Sequence, residues 1–233
     1  MYFPWVGMFE QVRLCDIFVY YNDVQFSKGS FTNRVQIKAP NNEGFKWLTV
    51  PLKDLKLGSL INKTYINNEK PWKQQHKEIL QTSYKNSLYY NDIVQMTDQL
   101  FSDEYETIDV LSRKSMELVI EYYGLGYHRN FFESVGLASE NTSSNRVIDI
   151  VKHFHCKTYI TGHGAKNYLD HDLFEINGID VEYLNYKKNE YPQMWGKFNP
   201  HVSILDLIAN TGKNGIKYIN SDTLNWKTFI KNS

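Results

Sequence analysis

The chain has 233 residues, 42% of them hydrophobic, and its 26 basic and 26 acidic side chains cancel to a formal net charge of zero. That apolar content suffices for a buried core and excludes wholesale disorder. The charge balance supplies no global field to attract nucleic acid or an anionic membrane, and no run approaches ~18 uninterrupted apolar residues, so no membrane span is expected.

Cys15 and Cys156 are the two cysteines, far apart in the chain. They support no disulfide framework and fit a reducing compartment. The opening "MYFPWVGMFEQ" has neither a basic leader region nor a long apolar stretch, so it does not read as a signal peptide, and a cytoplasmic location is expected.

In chain order, Pro4 stands where a helix can begin, with Trp5, Phe9, Val12 and Leu14 as a rough helical stripe. Asp16 opens "DIFVYYNDVQF", a strand-like run of branched and aromatic residues. Further strands are expected at Val35–Lys38, Lys46–Leu52 and Leu60–Ile66, the first two joined by a hairpin-type "APNNEG". Helices are expected at Pro71–Tyr84, Asn91–Phe101 and Thr107–Tyr123, the last ended by Gly124 and Gly126. "HRNFFESV" reads as a strand. Ser143 or Ser144 can cap a helix through Phe154. "KTYITG" is a strand, Lys166–Ile176 a helix ended by Gly178, and "DVEYLNY" a strand.

The second half therefore alternates β, α, β, α, β, the pattern of a parallel sheet with crossover helices. The expectation is a single α/β domain over residues 1–233. Its sheet is largely parallel, with an antiparallel excursion in the first half and a helical insertion at about residues 70–125.

Parallel α/β sheets bind ligands beyond the carboxyl ends of their strands, and Gly162-His163-Gly164-Ala165 occupies such a turn, with Tyr168 soon after. The glycines allow close backbone approach to a phosphate or carboxylate, and His163 can contact it or move a proton. The same turn also reads as an ordinary tight corner. A second polar cluster follows the first strand: Asn22, Asp23 and Gln25, with Asn33 and Arg34 opening the next. Arg34 can pair bidentately with phosphate or carboxylate and Asp23 can accept a proton. The rival reading is an Asp23–Arg34 ion pair bracing the loop.

On the helix from Pro71, Trp72, His76, Leu80 and Tyr84 share one face. His76 reads there either as a catalytic base or as a hydrogen-bonded core residue. "YLNYKKNEYPQMWGKF" interleaves lysines with aromatics, and Tyr191 and Gln193 are candidate sugar or base contacts, as is Trp5. His153, His155 and Cys156 lack a second cluster at zinc spacing, and His171-Asp172 is a lone pair, so no metal site is expected.

Read together, "YFPWVGMFEQVRLCDIFVYYNDVQFSKGSFTNRVQIK", "WLTVPL", the Trp72/His76/Tyr84 helix, "YITGHGAKNYLD" and "HVSILDLIANTG" resemble the WbqC-like family over nearly the whole chain. That resemblance implies a place in O-antigen or related surface-polysaccharide biosynthesis. It also implies acyl transfer, glycyl among the candidates, to the amine of a nucleotide-linked amino sugar. The partners implied are a small-molecule sugar nucleotide and an activated acyl donor, with no nucleic acid; neither a cofactor nor an oligomeric state is specified.

In one respect the chain departs from its relatives. Family members carry a short strand ending in Gln-Pro before the Tyr-Phe-Pro-Trp segment, and without it the sheet loses an element and Trp5 a neighbour. A fainter likeness to the nucleotidyltransferase branch of α/β folds, which includes pantothenate synthetase, keeps open an ATP-dependent ligase. The His-x-x-His or His-x-Gly-His signature of that branch is missing near Pro4–Gly7. A non-catalytic sugar-nucleotide-binding subunit is the third reading.

Overall fold

The structure is a computed structural model that describes residues 1–137 and 141–232. It begins with helix α1 (Val6–Leu14) and strand β1 (Ile17–Tyr20). An antiparallel hairpin follows, β2 (Arg34–Lys38) with β3 (Phe45–Thr49). Gly44 at the loop end takes φ +73, a left-handed angle that glycine adopts without penalty.

Three helices come next, α2 (Trp72–Tyr84), α3 (Tyr90–Phe101) and α4 (Ile108–Tyr123). Strand β4 (Asn130–Glu133), helix α5 (Ser143–His153), strand β5 (Thr158–Thr161), helix α6 (His171–Ile176) and strand β6 (Asp180–Asn185) complete the alternating region. The chain closes with α7 (Ile204–Thr211), β7 (Asp222–Asn225) and α8 (Trp226–Lys231).

The α/β class and the helical insertion stand as the sequence implies. The sheet is divided among smaller pieces: β1 pairs in parallel with β4, while β5 pairs in parallel with β6 and β7 adds an antiparallel edge. The alternation of strands and helices does not make β4 and β5 neighbours.

Two expected elements change. Leu60–Ile66 is not a strand: Ile61–Lys63 is a 3-10 turn flanked by single bridges, Gln25 to Leu60 and Leu52 to Ile66. The expected helix Lys166–Ile176 is broken, because His163–Asn167 is a 3-10 turn and α6 begins afresh after Asp170, whose carboxylate accepts from the Leu173 N–H at 3.0 Å. The helix after β4 is preceded by Thr142, not capped by Ser143 or Ser144.

Packing explains the rest. The buried face of α2 is Trp72, His76, Leu80, Ser83 and Tyr84, the four-residue recurrence of an amphipathic helix. Helix α4 ends at Gly124 with φ +67, the left-handed cap that stops a helix. Helix α7 is apolar and buried nearly all round, as a helix in the middle of a core must be.

One apolar cluster joins α1, the β2–β3 hairpin, α2–α4 and α7. A smaller one joins α5, β5, α6, β6 and α8. The fully buried Glu10 of α1 accepts hydrogen bonds from the Asn220 and Ser221 N–H groups and the Ser221 hydroxyl, each at 2.9 Å. A buried carboxylate needs such partners, and these fasten α1 to the segment that leads into β7.

Candidate functional site

Because β1 and β4 run parallel, with Tyr20 opposite Glu133, their carboxyl ends share one edge. Polar residues gather there. Buried Asn22 donates from Nδ2 to Asp109 at 2.8 Å and to Glu133 at 3.2 Å. Its backbone N–H donates to the Ser134 hydroxyl, which donates to Asp23 Oδ1 at 2.6 Å. Asp23 Oδ2 accepts from Arg146, on the first turns of α5, at 2.5 Å. Arg113 of α4 pairs with Glu133.

The Arg146 guanidinium also lies 5.9 Å from the Tyr21 ring centre. Burial raises the Tyr21 pKa, opposed by Arg146 and reinforced by Asp23 and, more weakly, by Tyr168. Tyr159, whose pKa burial lifts to about 12, feels both Tyr168 and Tyr21. Tyr168, on the turn after β5, thus contributes weakly to the electrostatics of Tyr21, the ring beside Arg146.

The Gly162–Tyr168 turn has its own geometry. Gly162 has φ −88 and ψ 166, which any residue can adopt, and a side chain on Gly164 would meet open space. Neither glycine is demanded by a left-handed backbone, so the tight-corner explanation does not apply to them. The segment after Gly162 is a five-residue 3-10 turn rather than the start of a long helix, and it lacks the macrodipole that would draw an anion. Ala165 is buried in the smaller core, and His163 and Tyr168 are exposed.

The His163 Nε2 lies 2.6 Å from the Leu184 carbonyl oxygen. A carbonyl only accepts, so Nε2 carries the proton and Nδ1 is left as a proton acceptor. Phe229 packs 4.8 Å from the ring and fixes its plane.

The other sequence candidates lie elsewhere. Arg34 does not pair with Asp23: its guanidinium stacks 4.3 Å from the Trp47 ring centre and donates to the Gly29 carbonyl at 2.5 Å. Asn33 donates to the Val50 carbonyl at 2.8 Å, and Gln25 is exposed at its bridge to Leu60. His76 is a core residue. Its Nε2 donates to the Thr49 carbonyl at 3.2 Å and its Nδ1 accepts from the Tyr2 hydroxyl at 3.1 Å. Desolvation pushes its pKa down to about 4.

Tyr191 is buried too, and Gln193 donates to its hydroxyl at 2.9 Å while bracing Asn199. Trp5 packs on Tyr186 and His201 at ring distances of 4.9 and 5.4 Å. It also lies over Gly7, where any Cβ would meet the indole at 2.1 Å. Arg146, Ser134, Glu133 and Asp109 join the Asn22–Asp23 cluster from parts of the chain distant from Asp23, and no local motif marks them.

Among the described residues, no three His, Cys, Asp or Glu side chains are grouped to hold a metal ion. His171 instead bonds the Tyr183 hydroxyl at 2.8 Å and stacks on Trp226. No helix among the described residues is long and apolar enough to cross a membrane.

The model of the WbqC-like protein family matches residues 1–218. An uncharacterized protein of Mycobacterium tuberculosis is 28% identical over 221 residues, covering 94% of this chain and 94% of that protein. No solved structure matches the chain significantly.

Proposed function

The chain belongs to the WbqC-like protein family, and from that premise we propose that it transfers an acyl group, glycyl among the candidates, to the amine of a nucleotide-linked amino sugar in surface-polysaccharide biosynthesis. The observation that carries this reading is His163. It is exposed at the carboxyl end of β5 and held through Nε2 by the Leu184 carbonyl, which in the neutral ring leaves Nδ1 to act as the base.

Amide formation requires such a group. The amine attacks the acyl carbonyl and the bond to the donor's leaving group breaks. The amine proton passes to His163 Nδ1, which returns it to the leaving group. At the β1–β4 edge Arg146 takes the role first expected of Arg34. Its pairing with Asp23 holds it over Tyr21, where it can meet the diphosphate of a sugar nucleotide. Asn22 is committed to Asp109 and Glu133 and shapes the floor. Tyr168 offers an exposed aromatic face to a sugar or base. The half-buried Asp23 is better suited to positioning Arg146 than to taking the proton.

The test is incubation of the purified chain with a panel of nucleotide-linked amino sugars and glycyl donors, read by mass spectrometry as gain of one glycyl group. His163→Gln should lower turnover about 10²–10⁴-fold with an unchanged melting temperature. Equal turnover in that variant removes His163 from the reaction. Pyrophosphate release requiring ATP and free amino acid points to the ligase reading. Tight sugar-nucleotide binding with no product points to a binding subunit.

A further inference from the structure

Lysine is among the side chains least often buried without a partner, yet Lys38, the last residue of β2, is only 3% exposed. Its ammonium donates to the Lys197 carbonyl at 2.6 Å and, among the described residues, forms no ion pair. One carbonyl occupies one of three N–H donors and cancels no charge. A buried ion left in that state is costly, and its survival in a fold calls for an explanation.

The carboxylate that acts on Lys38, buried Asp206, is joined to its main chain and not to its ammonium. The Lys38 backbone N–H donates to the Tyr84 hydroxyl at 3.0 Å, and that hydroxyl donates to Asp206 Oδ1 at 2.8 Å. Burial lowers the Lys38 pKa, and Asp206 opposes the shift without cancelling it.

Lys38 stands in the wall of a cavity of about 640 Å³, the size of a small-molecule pocket. The β2–β3 loop forms one side, and residues 195–197 with Asn199 form the other. Trp195 and Gly196 both take left-handed angles, φ +63 and +67. For tryptophan that conformation is strained, and its indole N–H secures it by donating to the Ser83 carbonyl at 2.8 Å. The double turn brings the Lys197 carbonyl onto Lys38, and a Cβ on Gly196 would lie 3.9 Å from the ammonium. The strain therefore shapes the chain around the lysine, beside an open cavity.

We propose that the cavity between the β2–β3 loop and residues 195–199 is a small-anion site, in which Lys38 holds the phosphate or carboxylate group of a small molecule. Hydrogen bonds from an ammonium to an oxyanion are stronger than neutral ones, and such a ligand would take the donors that Lys197 leaves. Lys197, exposed on the rim, adds a second positive charge. Glu43, the carboxylate of the lining, is exposed on the hairpin loop, where salt and water screen its repulsion. The site shares no residue with His163 or the Asp23–Arg146 pair, and the proposal does not rest on the reaction assigned above.

The test compares millimolar inorganic phosphate and millimolar acetate with sodium chloride at matched ionic strength. Two readouts are taken, melting temperature and the rate at which a succinimidyl ester labels each lysine, followed by peptide mass spectrometry. At ten times its dissociation constant the anion leaves about one site in eleven free. Lys38 should then label about ten-fold more slowly, while the exposed Lys114 and Lys152 keep their rates. The melting temperature should rise by about 4 °C. Lys38→Met, which keeps the length of the side chain and removes the charge, should lose that rise.

A response to phosphate alone assigns the site to phosphates, a response to acetate alone to carboxylates, and either upholds the proposal. No rise in melting temperature with either anion overturns it. So does equal slowing at every lysine, or a rise that survives in Lys38→Met, since both are general salt effects. Where that variant fails to fold, the labelling of the unaltered chain decides. His163→Gln should keep the anion response even where it abolishes turnover, which separates failure of this site from failure of the reaction.

Discussion

Gly164 sits on an exposed turn with room for a methyl group and without the left-handed backbone that would call for glycine. If its use is close approach of the main chain to a ligand, adding one carbon should be felt only when ligand is bound. Gly164→Ala is expected to change unfolding free energy by less than about 0.5 kcal/mol while raising KM for the sugar nucleotide about ten-fold. Steady-state kinetics beside a denaturant melt checks both halves. An unchanged KM would mean that the turn stands clear of the substrate.

At this scale the sequence showed which residue types could do the chemistry but not which of them meet. Asp23 and Arg34 are eleven positions apart and read naturally as partners. Crossing from β4 into α5 instead carries Arg146 over the exit of β1 and gives it Asp23, and a pairing that depends on a crossover leaves no local trace.

Elements were more legible than contacts, and their errors have physical causes. The four-residue recurrence on α2 and the left-handed glycine after α4 act locally, so both helices fall where the pattern places them. Leu60–Ile66 has strand composition but bridges to different segments, Leu60 to Gln25, Tyr65 to Thr107 and Ile66 to Leu52, so no ladder forms and Ile61–Lys63 winds into a turn. The stretch from Lys166 to Ile176 has helical composition, yet Asp170 interrupts it by turning its carboxylate onto the Leu173 N–H and capping a new, six-residue helix. A short helix relies heavily on its cap. Asp170→Ala should therefore cost about 1 kcal/mol, read as a lower urea midpoint with an unchanged slope. A null effect would show that Phe174, fully buried on α6, holds the helix in place without the cap.

For the molecule as a whole, alternating strands and helices announce an α/β fold, but periodicity does not say which strands touch. Strands β1 and β5, which stand in different sheets, look the same in sequence as two strands that pair. Stability against pH is also a whole-molecule property, and two buried groups displaced in opposite directions, His76 and Asp206, contribute most to it here, with His171 and His201, also lowered by burial, adding in the sense of His76. His76 stays neutral in the fold down to about pH 4 because burial disfavours its charged form, whereas the unfolded chain takes up that proton near the ordinary histidine value. Unfolding then binds a proton, and stability climbs as pH rises from about 4 to 6.5.

Asp206 does the reverse. Burial raises its pKa to about 6, against the pull of Tyr84, Tyr191 and Lys38, so the fold keeps a proton that the unfolded chain has lost. Stability on its account falls as pH rises from about 4 to 6. Each displacement is worth on the order of 3 kcal/mol, and across that window they offset one another. The chain should thus show a shallow stability curve between pH 4 and 6. Asp206→Asn should melt progressively higher as pH rises through the window, and His76→Phe progressively lower. Thermal melts in half-unit steps of pH read the slopes. A steep curve for the unaltered chain, or variant slopes of the same sign, would show that other groups govern its response to acid.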